Sequence, residues 1–573
     1  MLFLLYATLF SAAVVSVTPT SDDSHPLIFV CILARNSAPT LPYFLGQFEH
    51  LDYPKDRLQL FIRTDHNLDD TAAILQRWTN SVAELYASVN FEFSAADAAD
   101  SYESELGPFD WTVDRYRQII GLKEEALNRA RQSDADYIFF LDADVFLTHE
   151  RVLQRLISER KTLVAPMMRS PASNYSNFWA AVNADGYYAR TDMYFEVLFQ
   201  ERLGSFSVPV VHSAFLVDLN APQSQSLGFD PKLLPFYRGK PIDDVLAFAH
   251  STRVAGVDPF ILNTEFFGYV LLPLDGNLAC HDLTENMNHF LFQIMRDDHL
   301  PLLHSPIVRP VYPTSDKLGF DQVYLINLDR RRERLERMEA SFRLLGINAT
   351  HWKAVDGALM NDNYLKHQGI SMLPGYLDPY HKRSLTFGEI GCFLSHLGIW
   401  KDVVEKGYSR VLVFEDDITF GSYFRPLLAA IMDDIEKTQL QWDLVYLGRK
   451  KMADQEEDLV PGHRFLSQVA YSYWTLAYLL SASGAEKLLR GRPLERMVAV
   501  DEYLPIMFDK HPETSWKSQF PIRDLRAFST LPLLVHPSHY TNEPGYVSDT
   551  EDSDTLSGDH SASHRVIKAK DEL

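Results

Sequence analysis

Two groups of acidic residues have the type and spacing to bind a metal ion. Asp142-Ala143-Asp144 follows an apolar run over residues 137–141, and Glu415-Asp416-Asp417 follows another over residues 411–414. Adjacent carboxylates repel each other unless a cation or hydrogen-bond donors neutralise them. A hard divalent cation prefers oxygen ligands and can bridge the phosphates of a diphosphate. Solvated acids at a strand end would produce the same short pattern, but its repetition after two apolar runs favours metal binding.

Polar residues near position 327 could bind a diphosphate beside the second acidic group. Asn327, Arg330 and Arg334 stand where an apolar run over residues 322–328 gives way to a charged amphipathic helix over residues 329–345. A helix N-terminus with guanidinium groups suits phosphate oxygens. Other arginines follow in the same helix, so a solvated helix face is an equally good explanation of any one of them.

Acids and histidines nearer the C-terminus add further candidates. Asp501 and Glu502 could each act as a general base and take a proton from an acceptor. His536 and His539 could supply a neutral nitrogen to the metal ion. A hydrogen-bonded structural role explains either histidine alone better than metal binding does.

Apolar runs and helical spacing place the first acidic group at the end of a strand. Runs over residues 27–33 and 58–62 are typical of buried strands, and helical spacing over residues 113–131 leads into the run at 137–141. Strand–helix–strand alternation of this kind predicts an α/β fold with a largely parallel sheet. In open sheets of this class, ligands bind at the carboxyl ends of the strands.

The second half repeats the arrangement. Thr386 and Glu389 form the capping box of a helix, whose apolar residues recur every three or four positions as far as Lys406-Gly407. That helix leads into the strand at 411–414. Prolines at positions 301, 306, 310 and 313 exclude a helix or a central strand between the halves. The sequence therefore predicts domains at residues 25–300 and 321–546, joined by a proline-rich linker at 301–320.

Length and charge limit the classes of function. A chain of 573 residues is too long for one ordinary core. The net charge of −23 argues against nucleic acid or an anionic membrane surface as the main partner, and an acidic surface would tolerate a basic polypeptide. The three cysteines allow at most one internal disulfide. Cys31 and Cys392 lie in apolar runs where buried free thiols are expected, and the state of Cys280 is open.

Both ends of the chain carry sorting signals. Residues 1–18 are typical of a cleaved signal peptide, although the usual basic residue is missing, and no later run is apolar enough to span a bilayer. Lys570-Asp571-Glu572-Leu573 matches the ER-retrieval signal that a receptor reads. The acidic residues 547–573 are expected to be disordered. These signals predict the ER lumen, where Asn174 and Asn348 would be N-glycosylation sites if exposed.

Several motifs of the second half resemble those of glycosyltransferase family 25. They occupy residues 324–331, 385–392, 394–396 and 414–417, and the resemblance covers roughly residues 321–546. A preceding Asp-x-Asp domain, the segment at 545–549 and the retrieval signal extend the resemblance to the animal procollagen galactosyltransferases within that family. The resemblance then covers nearly the whole mature chain.

The resemblance implies a fold of two tandem GT-A-like (Rossmann-like) glycosyltransferase domains. It also implies Mn²⁺-dependent transfer of galactose from UDP-galactose to 5-hydroxylysine in unfolded procollagen chains or other collagen-domain proteins, with inversion to a β-linked product. The candidate donor-binding residues are Asn327, Arg330, Arg334, Glu389, Glu415 and Asp416; the candidate metal ligands are Asp142, Asp144, Asp417 and His539; the candidate bases are Asp501 and Glu502.

Other interpretations compete with this one. A lumenal glycosyltransferase with another donor or acceptor would share the motifs, because pocket chemistry decides specificity. A binding or adhesion homologue without activity would retain the fold, although the intact acids argue against it. A collagen lysyl hydroxylase would need an iron triad, which His50-Leu51-Asp52 alone does not supply. The sequence leaves open which domain is catalytic and whether the chain forms a homodimer.

Overall fold

The structure, a computed structural model, divides into two compact units. The first unit contains residues up to Cys280 together with His304–Arg309, and the second contains His281–Leu303 together with residues from Pro310 onward. The predicted signal peptide and retrieval signal lie outside the described residues. These are 25–93, 102–171, 173–183, 187–232, 243–298, 302–452, 456–541, 543–551 and 553.

The first unit combines helices and strands in alternation. Its helices are α1 (Leu41–Glu49), α2 (Thr71–Val82), α3 (Val113–Gln132), α4 (Val152–Ser158), α5 (Asp192–Leu198) and α6 (Asp244–Ala255). Its strands are β1 (Ile28–Leu33), β2 (Leu58–Thr64), β3 (Ser88–Phe93), β4 (Tyr137–Asp142), β5 (Val145–Leu147), β6 (Leu163–Pro166), β7 (Phe178–Trp179), β8 (Ala181–Val182), β9 (Tyr188–Ala189), β10 (Ser205–Ser207), β11 (Val210–Val211), β12 (Ala214–Asp218), β13 (Phe260–Leu262) and β14 (Gly268–Val270).

A mixed sheet forms the centre of the first unit. Within the described residues it has eight strands, in the order β10-β13-β6-β12-β4-β1-β2-β3. β1 pairs in parallel with both β2 and β4, and β12 pairs antiparallel to β4. β1 and β4 are almost entirely apolar and buried because helices cover both faces of a parallel sheet. The first acidic group therefore stands at the carboxyl end of the central strand β4.

The second unit repeats the α/β arrangement. Its helices are α7 (Cys280–Asp298), α8 (Arg332–Leu345), α9 (Asp362–His367), α10 (Phe387–Lys406), α11 (Phe424–Thr438), α12 (Ala482–Arg490), α13 (Val500–Met507) and α14 (Thr514–Ser518). Its strands are β15 (Gln322–Asn327), β16 (Thr350–Lys353), β17 (Arg410–Phe414), β18 (Ile418–Phe420), β19 (Leu444–Lys451), β20 (Leu466–Gln468), β21 (Ser472–Ser481), β22 (Ala527–Thr530) and β23 (Val535–Pro537).

The described part of the second unit has a seven-stranded sheet in the order β16-β15-β17-β21-β19-β22-β20. β15 pairs in parallel with β16 and β17, whereas β21 runs antiparallel to both β17 and β19. Helix α10 begins at the predicted capping box of Thr386 and Glu389 and ends at Gly407, whose φ is 67°. Its buried face, which includes Phe393 and Trp400, belongs to the main core of this unit. The prediction of two α/β domains is confirmed.

Helix α7 packs with the second unit, which differs from the predicted boundary at residue 300. The hydroxyl of Tyr423 donates to Asp282 at 2.6 Å, and the rings of Phe292 and Phe420 lie 5.6 Å apart between centroids. Prolines mark where regular structure is absent, but they carry no information about which core the preceding helix joins. No helix within the described residues is long and apolar enough to cross a membrane.

Candidate active site

The second acidic group lies at the carboxyl end of β17 and lines a cavity of about 460 Å³. The backbone bends at Asp416 and Asp417. All three carboxylates still line the same cavity, together with residues that follow β15 and residues of β21 and α13. Each of the three has a different set of partners.

Glu415 is held in its ionised form by a chain of hydrogen bonds. Its Oε1 accepts from Thr475 and, at 3.1 Å, from His396 Nε2. The His396 Nδ1 lies 2.9 Å from the hydroxyl of Tyr478, which accepts from Trp400 at 3.2 Å. Burial raises the pKa of Glu415, but the hydrogen bonds from His396 and Thr475 outweigh it and keep the pKa below its ordinary value.

Asp416 is neutralised by the chain itself. It accepts from Asn327 at 2.7 Å and from Arg334 at 3.1 Å, and its main-chain carbonyl accepts from Arg337 at 2.8 Å. Burial still raises the pKa of Asp416, although Arg334 opposes this. These contacts place two predicted donor-binding residues, Asn327 and Arg334, directly on the acidic group.

Asp417 has an oxygen without a donor. Its buried Oδ1 has no hydrogen-bond partner among the described residues, and its Oδ2 is 3.9 Å from Arg334. Burial, and then the charge of Glu415, raise the pKa of Asp417 to about 7. A buried carboxylate oxygen that the described residues leave without a donor, beside a second carboxylate, has the chemistry of a hard-cation ligand.

Asp501 and Glu502 are neighbours in α13 but differ in what they can do. Glu502 is 2% exposed and accepts hydrogen bonds from Tyr473, from Tyr471 at 2.9 Å and from His511 at 2.6 Å. The buried Oδ1 of Asp501 has no partner in the described part of the chain. Burial, and then the charges of Glu415 and Glu502, raise the pKa of Asp501 to about 8.

A segment near the C-terminus forms one wall of the cavity. Asp549 pairs with Arg330 at 2.8 Å and with Arg331 at 2.7 Å, and the carbonyl of Val547 accepts from Arg334 at 2.9 Å. Residues 547–551 were expected to belong to a disordered tail, and the structure corrects this. An acidic, serine-rich composition is typical of disorder, but a single well-placed aspartate between arginines can order such a segment.

Two other predicted residues, Glu389 and His539, also line the cavity. Both oxygens of Glu389 accept from Arg383, at 2.9 and 3.2 Å, and one also closes the capping box. The ring of His539 packs on Gly545, where a Cβ would lie 3.0 Å from the imidazole and where φ is 88°. Burial, and then Arg296, lower the pKa of His539, so this ring is neutral.

A third group of potential metal ligands was not predicted from the sequence. Ligand atoms of Cys392, His396 and Glu415 lie within 4.8 Å of one another. The two helical residues, Cys392 and His396, are one turn apart in α10. His396 already spends both nitrogens on Tyr478 and Glu415, so we assign it to positioning that carboxylate. All three cysteines of the chain are free.

The first acidic group has its own internal cation. The buried Lys123 of α3 lies 2.7 Å from Asp244 and 3.9 Å from Asp142. Burial lowers the pKa of Lys123, but Asp142 and Asp244 outweigh it and keep the lysine charged. The buried Oδ1 of Asp144 has no partner among the described residues, and burial, with the charge of Asp142, raises its pKa to about 7.

Fold and site together define a class of protein. Carboxylates at the ends of sheet strands, arginines beside them and a cavity between them are the features of an enzyme that binds a nucleotide diphosphate. Family models support this and are more specific. Glycosyltransferase family 25, N-terminal domain, matches residues 25–291, and Glycosyltransferase family 25 (LPS biosynthesis protein) matches residues 320–504.

Curated relatives extend the match to most of the chain. Procollagen galactosyltransferase 2 from Mus musculus is 44% identical over 552 residues, which cover 95% of this chain and 87% of the relative. Procollagen galactosyltransferase 1-B from Xenopus laevis is 45% identical, covering 93% and 87%. A Glycosyltransferase 25 family member from Anopheles gambiae is 43% identical, covering 93% and 90%. The chain belongs to glycosyltransferase family 25.

Proposed function

We propose that the chain transfers galactose from UDP-galactose to the 5-hydroxylysine of unfolded procollagen chains or other collagen-domain proteins, giving a β-linked product. The names of the relatives support the donor sugar and the acceptor. The observation that carries the chemistry is the convergence of Asp417 and Asp501 on one cavity, each with an unpartnered carboxylate oxygen.

We assign catalysis to the second unit. Asn327, Arg330 and Arg334 hold the diphosphate end of the donor in this assignment, because all three line the cavity beside the acidic group and the two arginines carry guanidinium groups. Arg330 and Arg331 are paired with Asp549 in the absence of donor, so phosphate oxygens must share or displace that carboxylate. Donor binding would then weaken or break the ion pairs that hold residues 547–551 against the cavity.

A divalent cation, Mn²⁺ in this proposal, fits the acidic group. Asp417 supplies the free oxygen, Glu415 is ionised, and His539 is a neutral imidazole on the same cavity. When bound, the cation would neutralise charge on the diphosphate of the leaving group. Asp142 and Asp144 form the corresponding site of the first unit, where Lys123 already balances part of the charge.

We assign the general base to Asp501 and a positioning role to Glu502. A base needs a free oxygen within reach of the acceptor and a pKa near the working pH, and Asp501 meets the second condition with a pKa of about 8. Both oxygens of Glu502 are already hydrogen-bonded to Tyr471, Tyr473 and His511. Glu502 therefore holds β21 and α13 together.

A single displacement accounts for inversion. Asp501 accepts the proton of the acceptor hydroxyl while the hydroxyl oxygen forms a bond to the anomeric carbon of galactose. The bond from that carbon to the diphosphate oxygen breaks at the same time, and UDP leaves with the electron pair. Arginines at the cavity stabilise the charge that develops on UDP, and positioning of the two substrates supplies much of the remaining acceleration.

The location that fits this activity is the ER lumen, with a cleaved signal peptide and a retrieval receptor as a partner. Collagen lysines are accessible there before the triple helix closes. Asn174 and Asn348 are both exposed, as N-glycosylation requires. Homodimer formation stays a proposal that sedimentation of the purified protein would test.

Donor screening tests the proposal. Purified protein is incubated with a hydroxylysine-containing collagen peptide and with UDP-galactose or UDP-glucose, with and without Mn²⁺, and the product is analysed by mass spectrometry. We expect a gain of one hexose from UDP-galactose that needs Mn²⁺ and fails on a peptide with lysine in place of hydroxylysine. Transfer only from another donor, or none at all, would refute the proposed activity.

A further inference from the structure

Strand β21 bulges out of its pairing with β19 where it passes the cavity. Gly448 of β19 pairs with Ala477 and Lys450 pairs with Tyr473, so one residue of β19 faces three residues of β21. Such bulges bend a strand and redirect its side chains, and they are common beside active sites. The bulged residues here are Trp474, Thr475 and Leu476, and all three line the cavity.

The bulge brings each of these residues to a catalytic group. Thr475 donates to Glu415, and the carbonyl of Leu476 accepts from the amide of Glu415 at 3.0 Å. The amide of Trp474 hydrogen-bonds to Asp501 and opposes the rise in the pKa of that carboxyl. Trp474 itself has a φ of 68°, a left-handed conformation that is costly for a bulky side chain. The strained backbone at Trp474 therefore accompanies the placement of its indole ring on the cavity.

Trp474 also lines a second pocket of about 270 Å³. Lys450, Trp474, Pro537 and Thr541 line both, so the two pockets adjoin each other. The second pocket is also lined by Arg449, Val535, His536 and Tyr540.

Sheet order places the second pocket on the side of the acidic group away from the proposed diphosphate site. β17 lies between β15 and β21. Asn327, the last residue of β15, and Arg330, just after it, are assigned to the donor, whereas the second pocket is built on β21, β19 and β23. A substrate in this pocket would approach the acids from the acceptor side, next to Asp501.

The pocket offers two aromatic rings and the ammonium group of Lys450. The rings of Trp474 and Tyr540 lie 6.0 Å apart between centroids, and the ammonium of Lys450 is 5.1 Å from the indole ring. A chain in the polyproline II conformation offers the matching groups, because its pyrrolidine rings pack on aromatic faces and its carbonyls have no partner within the chain. Arg449 is not available for this role, since it is bound to Ser472, Ser529 and Glu457.

We propose that Trp474 and Tyr540 form a subsite for an imino-acid residue next to the hydroxylysine that is modified, with Lys450 donating to a main-chain carbonyl of the acceptor. This rests on the proposed function. The subsite selects extended, proline-containing segments and sets the reacting hydroxyl beside Asp501. Trp474 acts on acceptor binding and not on the donor.

The test compares three acceptors with UDP-galactose and Mn²⁺. They are a collagen peptide with proline next to hydroxylysine, the same peptide with alanine in place of that proline, and hydroxylysine blocked at both ends. Trp474→Gly removes the ring, and glycine accepts a positive φ, so the variant keeps the backbone that contacts Asp501. Tyr540→Ala is the second variant, and Phe199→Ala, which removes a 54% exposed ring from the first unit, is the matched control.

We expect the KM of the proline peptide to rise about tenfold in Trp474→Gly and several-fold in Tyr540→Ala, with the KM of UDP-galactose unchanged. The KM of blocked hydroxylysine should stay within about twofold of the wild-type value. The KM of the alanine peptide should rise far less than that of the proline peptide. Phe199→Ala should match the wild type throughout.

An unchanged KM for the proline peptide in both variants would overturn the subsite, and so would an equal rise for all three acceptors. A fall in kcat alone would instead place Trp474 in the chemistry and also overturn it. Failure of the wild type on every hydroxylysine acceptor is a different result. It would remove the proposed function and the subsite with it.

Discussion

The two acidic groups of this chain follow the same pattern in sequence but differ in how the fold balances their charge. In the first unit the ammonium of Lys123 lies between Asp142 and Asp244, so part of the balancing charge is built in. In the second unit Arg334 balances Asp416, while Asp417 and Asp501 line a cavity and each keep a buried oxygen that has no partner among the described residues. The difference teaches that a carboxylate motif specifies only the presence of negative charge. What the site can bind depends on which oxygens the surrounding chain leaves unpaired.

The largest expected effect separates the two units directly. Asp417→Asn should lower transfer by about a thousandfold or more, because it removes both the unpaired oxygen and its charge. Asp144→Asn is the matched change, since Asp144 also has an unpaired oxygen and a pKa raised to about 7, and it should keep transfer within about threefold. Initial rates with UDP-galactose and a collagen peptide measure both. The reverse order of effects would assign catalysis to the first unit.

The next effect concerns two adjacent residues of α13. Asp501→Asn should lower kcat about a hundredfold to ten-thousandfold, because the base is lost. A base must be unprotonated, so kcat/KM of the wild type should rise with pH as Asp501 titrates near its pKa of about 8, and the residual activity of Asp501→Asn should not follow that rise. Glu502→Gln is the neighbouring control. It should lower the melting temperature, and its kcat should fall far less than that of Asp501→Asn. A large kcat loss in Glu502→Gln alone would exchange the two roles.

Removal of the internal cation tests the first unit. Lys123→Met keeps the length of the side chain but leaves Asp142 and Asp244 without their buried partner, which should destabilise the first unit by about 3 kcal/mol or more. Calorimetry of the variant should then detect a greater stabilisation by Mn²⁺ than in the wild type, since the carboxylates are free to bind a cation. Lys232→Met, at an exposed position, is the control. Equal melting temperatures for the wild type and Lys123→Met would contradict the role of this lysine.

The smallest effect is on the pH dependence of stability. Asp144, Asp417 and Asp501 have pKa values raised to about 7, 7 and 8, so the folded protein holds protons that the unfolded chain has released. Their contribution to stability is therefore present below the ordinary aspartate range and is lost as pH rises to about 8. Each Asn variant should melt about 2–4 °C above the wild type at pH 8.5 without metal, and the difference should vanish near pH 4. A lower melting temperature in all three variants would mean that these carboxylates have partners.

Most of the fold and part of the site follow from local patterns. Apolar runs predicted β1, β4, β15 and β17, and the capping box predicted where α10 begins, because burial and capping depend on residues a few positions apart. The placement of α7 in the second unit was not predictable, since its contacts with Tyr423 and Phe420 join residues more than 120 positions apart. The role of residues 547–551 was hidden for the same reason.

The sequence by itself determined that carboxylates stand at the ends of two buried strands, since strand and motif are contiguous there. Only the tertiary structure decided which carboxylates remain available: Glu502 is enclosed by two tyrosines and a histidine, while Asp501 beside it keeps a free oxygen. It also decided that Lys123 neutralises the first group and that Trp474 faces the second. The physical reason is that burial and hydrogen bonding set the charge state of an acid, and both depend on groups distant in the chain.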